Sequence, residues 1–276
     1  MIHTPNTPGW TLSRPIDQPF TINYDSPQAA GLVALWTCFN QRGVPGLRDS
    51  IGEYDMAAVN TPPIVNDFEM GPVVSFLAAN TEYLEIDLPV VTATPLTIAC
   101  WFYSTSVAIA QALVQICELG QPDELYALTA RGDAGGDPVT LVRIAGAGPN
   151  FCDTTTSYVA DKWQHAAAVC WDDSACDVYL DGGGKGSVGV ARAPGAWDRT
   201  SIARAGDSTP GSYMSGRIAE ARIYDRPLTE MEVWQLYAPE TRWELYSPVA
   251  WFIGGRAPDL ARIPRPPAAY NTLAIY

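Results

Sequence analysis

Two carboxylates in one alternating segment are the first residues of this sequence that could do chemistry. In residues 82–88 apolar and polar side chains alternate, which predicts a strand with Glu85 and Asp87 on the same side. A glycosidase that retains the anomeric configuration uses two carboxyl groups about 5 Å apart, one as the nucleophile and one as the acid. Glycoside hydrolysis is therefore the first activity to weigh.

Other catalytic arrangements find little support in the residue types. The chain has two histidines, His3 and His165, and His165 lies in an apolar segment typical of a core strand, so no Ser/His/Asp arrangement is indicated. The glycines around Lys185 lack the spacing of a phosphate-binding loop, and Gly146 and Gly148 lack the third glycine of a dinucleotide site. We interpret both segments as turns.

The cysteines show no metal-ligand spacing, and most of them lie in apolar segments. The six are Cys38, Cys100, Cys117, Cys152, Cys170 and Cys176. The last two flank a short turn that would place them opposite each other, within reach of a disulfide. Free thiols are usual in a reducing cytoplasm, where we expect this protein to be made, and we therefore expect all six to be reduced.

Composition indicates a folded, acidic protein. Of the 276 residues 47% are hydrophobic and 17% are charged, which allows a sizeable core in one domain. The formal net charge of −13 disfavours nucleic acid or a membrane surface as a partner. The first ten residues lack the basic and apolar segments of a secretory signal, and no stretch of about 18 apolar residues predicts a membrane helix.

The elements that must position these side chains are mainly strands. Segments 96–103 and 165–171 are apolar on both faces, as central strands of a covered sheet are. Turns rich in Gly and Asp separate the strands, which predicts an all-β, two-sheet antiparallel sandwich. One short helix is predicted near residues 229–237, where Thr229 and Glu232 form a capping box.

Proline marks both ends of the chain as extended arms. Residues 1–27 hold five of the 23 prolines and residues 239–276 hold six, so neither end is continuous helix or strand. Aromatic side chains in both arms argue against disorder. The arms either pack along their own domain or dock on a neighbouring subunit, and the sequence leaves both open. Docking would use Trp10, Phe20, Trp243, Tyr246, Trp251 and Phe252.

Seven segments, in order, resemble the laminin-G-like branch of the concanavalin A-like jelly rolls. They are residues 29–36, 49–52, 74–86, 96–101, 163–165, 178–182 and 216–229. The stretches 163–182 and 216–229 carry most of the resemblance. It implies a jelly-roll domain over residues 29–239, between an N-terminal arm of residues 1–28 and a C-terminal arm of residues 240–276.

Departures from the family pattern bear on metal binding. Ala219 stands where the family usually has Asp, and Leu77 and Ala78 replace another Asp. Calcium needs several hard oxygen ligands, so these losses argue against a bound ion, and we expect no cofactor. If calcium does bind, its candidate ligands are Asp172, Asp173, Asp177 and Asp181. Polar residues that keep turns solvated would explain these four aspartates equally well.

Another departure bears on catalysis. Residues 85–87 resemble the first half of the catalytic strand of jelly-roll β-glucanases, in which two glutamates flank an aspartate. The place of the second glutamate falls at Pro89-Val90, so the general acid is missing. The resemblance therefore implies a protein that is not an enzyme.

Sugar binding without catalysis is the main alternative within this family. Lectins of this fold stack sugars on exposed aromatic rings beside carboxylates and amides. Five aromatic side chains near Gly- or Asp-rich turns could form such a site: Tyr126, Phe151, Tyr158, Trp197 and Tyr213. Packing in the core or in an interface also explains them, and we favour packing.

The C-terminal segment favours a structural role. Residues 236–248 resemble the tails that follow such domains in phage and prophage structural proteins. We therefore expect a non-enzymatic virion protein, a capsid decoration, tail or fibre component, made in the host cytoplasm without a signal peptide. Its partners would be other virion proteins or copies of itself. The alternative is a carbohydrate-binding or adhesion module whose partners are surface glycans.

Overall fold

The computed structural model describes residues 20–38, 46–146, 148–193 and 195–248, which form strands and one α-helix. The strands are β1 (Phe20–Ile22), β2 (Leu32–Trp36), β3 (Ala57–Val59), β4 (Ile64–Asp67), β5 (Gly71–Phe76), β6 (Tyr83–Ile86), β7 (Leu96–Ser104), β8 (Ala110–Cys117), β9 (Glu124–Arg131), β10 (Pro138–Ala145), β11 (Asn150–Ser157), β12 (Trp163–Cys170), β13 (Ala175–Leu180), β14 (Gly183–Gly189), β15 (Arg199–Ile202), β16 (Gly216–Tyr224) and β17 (Tyr246–Pro248). The helix is α1 (Glu230–Tyr237).

Two antiparallel sheets make up the sandwich. The seven-stranded sheet has the order β11-β10-β9-β8-β15-β6-β3. The eight-stranded sheet has the order β14-β13-β12-β7-β16-β5-β4, with β2 paired to β16. Strands far apart in the chain become neighbours, such as β8 with β15 and β7 with β16, as in a jelly roll. The predicted all-β jelly-roll sandwich is confirmed.

The main core lies between the two sheets. Side chains alternate along each strand, so every second residue points into this core. Strand β12 is buried on both faces, because Ala166 and Ala168 lie in the inter-sheet core whereas Ala167 and Val169 face a second apolar cluster. The two-sided burial predicted for residues 165–171 is confirmed for residues 165–170, whereas Trp171 is 44% exposed.

The second cluster lies under α1, whose start is fixed by the predicted capping box. The Thr229 hydroxyl accepts the Glu232 N–H at 3.3 Å, and the Glu232 carboxylate accepts the Thr229 N–H at 2.8 Å. Hydrogen bonds from Arg226 and from Thr229 lower the pKa of Glu232 to about 2, so the box is intact at neutral pH. Val233 and Leu236 are the buried side of the helix. No helix among the described residues is long and apolar enough to span a bilayer.

The described parts of both arms pack on their own domain. Strand β1 pairs with β17, which places Phe20 opposite Pro248. Phe20, Trp243 and Tyr246 are at most 5% exposed and join the cluster under α1. These three side chains are therefore not available for docking on a neighbour, because the outer face of the eight-stranded sheet buries them. The other predicted docking residues, Trp10, Trp251 and Phe252, lie outside the described residues.

Hydrogen bonds tie the two arms to the sheet and to each other. The Gln28 side-chain amide donates to the Thr241 carbonyl at 2.7 Å, and Arg222 of β16 donates to the Gln28 side-chain oxygen at 3.0 Å. The described parts of the two arms, residues 20–28 and 240–248, therefore pack with the domain expected over residues 29–239.

Cys170 and Cys176 form a disulfide, which corrects the expectation of six reduced thiols. They lie opposite each other on β12 and β13 with their Cα atoms 4.1 Å apart, and both face the inter-sheet core. Directly opposed residues of an antiparallel pair bring their side chains within bonding reach, and this geometry outweighs the argument from compartment. The other four cysteines are buried: Cys38, Cys100, Cys117 and Cys152.

Candidate functional site

Three of the five aromatic side chains predicted near a sugar site are core residues. Tyr126, Tyr158 and Trp197 are at most 5% exposed. Tyr126 packs edge-on against Trp197 and donates its hydroxyl to the Arg192 carbonyl, whereas Tyr158 donates to the Ser106 carbonyl at 3.0 Å. The sugar-site prediction is corrected for these three, because their rings turn into the inter-sheet core and offer no face for stacking.

The other two predicted rings are exposed at separate places. Phe151 is 43% exposed on the edge strand β11, with the Arg131 guanidinium 4.6 Å from its ring centroid. Tyr213 is partly exposed beside β6, with its ring centroid 6.2 Å from that of Tyr83. In the seven-stranded sheet, β11 and β6 are separated by four strands, so the two rings do not form one site.

Tyr213 belongs to a group of aromatic and charged side chains on the outer face of the seven-stranded sheet. We call it the arginine–tyrosine cluster, and it consists of Tyr83, Glu85, Asp87, Arg199, Arg204 and Tyr213. Alternation along β6 buries Leu84 in the core and turns Tyr83 and Glu85 outward. The neighbouring β15 brings Arg199 to the same face.

A guanidinium holds the first ring of the cluster in place. The Cζ atom of Arg204 lies 3.7 Å from the ring centroid of Tyr83, and Arg204 is only 5% exposed. Burial raises the pKa of the Tyr83 hydroxyl, and Arg204 opposes that rise only in part. The hydroxyl is therefore neutral at physiological pH and can donate a hydrogen bond.

Ion pairs fix the charged side chains of the cluster. Arg204 Nη2 lies 2.5 Å from Glu85 Oε2, and Arg199 Nη1 lies 3.3 Å from the same oxygen. Arg199 also binds Asp87 through two bonds, Nε to Oδ1 at 2.5 Å and Nη2 to Oδ2 at 3.0 Å. Two carboxylates and two guanidiniums balance in charge, and paired planar groups of this kind hold a defined geometry. The cluster is rigid and neutral overall.

The middle of this sheet face is covered by the segment after β15. The Gly206 N–H donates to the side-chain oxygen of Gln115 at 3.2 Å, and the Ser201 hydroxyl donates to the Arg204 carbonyl at 3.1 Å. Gln115 and Ser201 are fully buried as a result. A ligand can approach this face beside the covering segment, where Tyr83 and Tyr213 are partly exposed.

The carboxylates considered for catalysis are engaged by arginine. Glu85 contacts two guanidiniums, and Arg199 binds Asp87 through two hydrogen bonds. Because both carboxylates are held in ion pairs, neither is free to act as a catalytic acid. His165 cannot serve as the base for two reasons. Burial, aided by Arg222 and Arg242, lowers its pKa to about 3. His165 also belongs to the eight-stranded sheet, whereas the cluster lies on the outer face of the seven-stranded sheet. The arrangement can bind but does not present an acid–base pair.

The four aspartates named as calcium ligands serve separate turns and strands. Asp172 accepts two backbone N–H groups of its own turn, and Asp173 accepts a threonine hydroxyl. Asp177 pairs with Lys185 at 3.1 Å, and Asp181 accepts a backbone N–H of β12 at 2.8 Å. Among the residues that the structure describes, no three His, Cys, Asp or Glu side chains are grouped to hold a metal ion. The predicted ligand set is therefore not assembled.

Sequence reasoning finds only one side of the arginine–tyrosine cluster. The alternation in β6 indicates that Tyr83, Glu85 and Asp87 share a face. Arg199 lies 112 residues from Asp87, and Arg204 lies 119 residues from Glu85. No local pattern marks these two arginines, because only the pairing of β6 with β15 brings them to the site.

Comparison with known proteins agrees with this architecture. The chain belongs to the concanavalin A-like lectin/glucanases superfamily, whose family model matches residues 78–234. The matched region contains every member of the arginine–tyrosine cluster. Among curated protein sequences, no match to the chain is found.

Solved structures with the same fold include sugar-degrading and toxin proteins. Domain 4 of AbnA, a GH43 extracellular arabinanase from Geobacillus stearothermophilus in complex with arabinotriose, is 18% identical with a TM-score of 0.62, over 75% of this chain and 98% of that one. The binding domain of Paraclostridial Mosquitocidal Protein 1 is 13% identical with a TM-score of 0.58, over 76% of this chain and 52% of that one. The botulinum neurotoxin serotype G binding domain is 12% identical with a TM-score of 0.55, over 75% of this chain and 50% of that one. The chain spans about half the length of the two toxin domains, and at these identities the likeness shows the fold alone.

Proposed function

We propose that this chain is a non-catalytic carbohydrate-binding domain and that the arginine–tyrosine cluster holds the sugar. The observation that carries the proposal is the position of Arg204, which lies 3.7 Å from the Tyr83 ring centroid while bound to Glu85. It fixes an aromatic surface, with Tyr213 beside it, before any ligand arrives. Preorganised aromatic rings with a few fixed polar groups are the usual features of a sugar site.

The chemistry of the cluster favours an uncharged sugar. Its two carboxylates and two guanidiniums cancel, so a neutral ligand brings no unpaired charge into the site. In an oligosaccharide, the C–H face of one ring would pack on Tyr213, and hydroxyl groups further along would donate to Asp87, whose side chain is 53% exposed. The similarity to a domain solved with arabinotriose supports this class of ligand.

Absence of catalysis is part of the proposal. Glu85 and Asp87 are used in ion pairs, and Pro89 and Val90 provide no further carboxylate on this segment. A retaining mechanism requires two carboxyl groups about 5 Å apart with different protonation states. We expect the chain to bind saccharides without cleaving them.

A glycan array followed by titration of the best ligand tests this function. We expect saturable binding by the full chain and a loss of about tenfold or more in affinity for Tyr213→Ala, equivalent to about 1.4 kcal/mol. Phe151→Ala is the matched control, since it removes an exposed ring from the far edge of the same sheet. The proposal fails if no glycan binds, if Tyr213→Ala binds as well as the unmodified chain, or if Phe151→Ala alone abolishes binding.

The virion role expected from residues 236–248 gains no support from the described contacts or from the comparisons. Three of the predicted docking residues pack on their own domain: Phe20, Trp243 and Tyr246. A role as a capsid, tail or fibre component therefore stays a prediction. Copurification of the chain with particles of its host's phages would support it, and a stable monomer with both ends protected from protease would count against docking through the arms.

A further inference from the structure

A cleft of about 450 Å³ opens at one end of the sandwich, where β5, β7 and β16 meet the segment before β6. Its polar walls are Asn80, Glu82, Tyr103, Thr105, Ser215 and Arg217. The volume falls within the range of roughly 300–1,000 Å³ of small-molecule sites. None of these residues belongs to the arginine–tyrosine cluster.

Strand register builds one wall of the cleft. Arg217 of β16 lies opposite Ser75 of β5 and opposite Tyr103 of β7, and Tyr103 lies opposite Trp163 of β12. The Arg217 guanidinium is 5.2 Å from the ring centroid of Tyr103, and the rings of Tyr103 and Trp163 meet edge-on at 5.8 Å. Tyr103 is held between these neighbours and stays partly exposed, so it offers a fixed aromatic surface.

The opposite wall carries a buried carboxylate. Glu82 is 6% exposed and lines the cleft. Its Oε2 accepts the Leu77 N–H at 2.7 Å, and its Oε1 accepts the Asn80 side-chain N–H at 2.9 Å. Both hydrogen-bond partners are neutral, and among the described residues no ion pair joins Glu82 to a cationic side chain.

Arg217 is the other charged side chain in the lining of the cleft. Arg217, the cation on its wall, is paired with Asp67 at 2.6 Å. The Tyr103 hydroxyl donates to Asp161 at 3.3 Å. The charge of Arg217 is therefore offset by Asp67, and Glu82 is the charged residue of the lining that has no ion-pair partner among the described residues.

We propose that this cleft is a second ligand site and that it takes an amino sugar, with the protonated amine beside Glu82 and the ring against Tyr103. A buried carboxylate that has only neutral hydrogen-bond partners gains most from a cationic donor. The Asn80 amide and the Ser215 hydroxyl lie on the same cleft and can bond the sugar hydroxyls. The site is independent of the neutral cluster on the seven-stranded sheet, and the chain could hold two different sugars at once.

Two trisaccharides of the same length test this site on the full chain. Fully deacetylated chitotriose carries protonated amines at pH 6, and its N-acetylated counterpart carries none. By titration calorimetry we expect the amine form to bind at least about tenfold more tightly, as a charged hydrogen bond typically contributes. Glu82→Gln keeps an acceptor oxygen for Leu77 but removes the charge, and should reduce binding of the amine form by a similar factor. Phe151→Ala removes an exposed ring that belongs to neither proposed site, and it is the control that should leave binding of the amine form unchanged.

The two proposed sites can fail separately. Equal binding of both trisaccharides by Tyr213→Ala, in which the arginine–tyrosine cluster no longer holds the neutral one, would overturn the amino-sugar site. No binding of the amine form by the unmodified chain, or full binding by Glu82→Gln, would overturn it as well. Loss of amine binding in Tyr213→Ala would assign that binding to the arginine–tyrosine cluster instead. If Glu82→Gln fails to fold, the comparison of the two trisaccharides on Tyr213→Ala decides. Binding of neutral glycans on the array, compared between the unmodified chain and Tyr213→Ala, tests the arginine–tyrosine cluster.

Discussion

Arg204 organises a binding surface although its own side chain is almost fully buried. Taking a guanidinium out of water costs several kcal/mol, and the contacts with Glu85 and with the Tyr83 ring offset that cost. A lysine could not replace it, because only the planar guanidinium can stack on a ring and bond a carboxylate at the same time. The residue acts by holding its neighbours in place.

His165 makes the stability of the fold depend on pH. Burial, aided by Arg222 and Arg242, lowers its pKa to about 3, whereas an unfolded histidine titrates near pH 6.5. As the pH falls below 6.5 the unfolded chain gains a proton and the folded chain does not, so the unfolded state is favoured. The stability due to neutral His165 is present above pH 6.5 and is lost progressively towards pH 3.

His165→Phe removes this dependence while keeping a ring beside Trp101, 5.4 Å away in the native pair. Between pH 7 and pH 5 we expect the unmodified chain to lose roughly 2 kcal/mol more unfolding free energy than the variant. Urea unfolding at both pH values measures the difference. Equal losses in the two proteins would show that His165 does not titrate in this way.

Single aromatic residues near turns are hard to assign from sequence. Tyr126 and Tyr213 both lie beside polar turns, yet Tyr126 is fully buried and Tyr213 is partly exposed. A shift of one residue in strand register moves a side chain to the other face, and local composition does not determine that register. The site on β6 was partly predictable because Glu85 and Asp87 lie in a strand that alternates clearly.

At the scale of elements, β14 lies close against β11 of the other sheet. A Cβ atom on Gly186 would fall 1.8 Å from the Asp153 carbonyl oxygen, so this approach requires glycine. We expect Gly186→Ala to destabilise the fold by about 1–3 kcal/mol, because the strand has to move away.

Gly189 on the same strand is the matched control, since a Cβ there meets nothing within 4 Å. Gly189→Ala should change the unfolding free energy by no more than about 0.5 kcal/mol. Denaturant unfolding of the two variants compares them directly. Equal stability of the variants would mean that the close approach of β14 to β11 is not important for the fold.

The helix and the terminal pairing differ in how far sequence could predict them. The capping box of α1 is a local signal, complete within Thr229 to Glu232, and the helix begins where it predicts. The pairing of β1 with β17 joins residues more than 200 positions apart and has no such signal. Prolines near both segments make these strands still harder to predict from sequence, because proline disfavours regular strand structure.

At the scale of the molecule, the terminal segments complete the domain. A chain of residues 29–239 would lack Phe20, Trp243, Leu245 and Tyr246 from the cluster under α1. Burial of one such side chain contributes about 1.5–3 kcal/mol, and the total stability of a domain is typically about 5–15 kcal/mol. We expect residues 29–239 to show no cooperative unfolding transition and residues 20–248 to show one. Circular dichroism during thermal unfolding distinguishes them, and cooperative unfolding of the shorter chain would contradict the expectation.

The pairing of Phe20 with Pro248 also brings the first and last described residues together. Cα atoms of paired residues lie about 5 Å apart, so these two positions are adjacent. A surface loop of a larger protein could receive the whole domain as an insertion without separating its two ends. For the same reason residues 20 and 248 could be joined by a short linker to make a circular permutant. Its new ends would lie in the β9–β10 turn at Gly135, where an added Cβ atom meets nothing within 4 Å, so no described strand is cut.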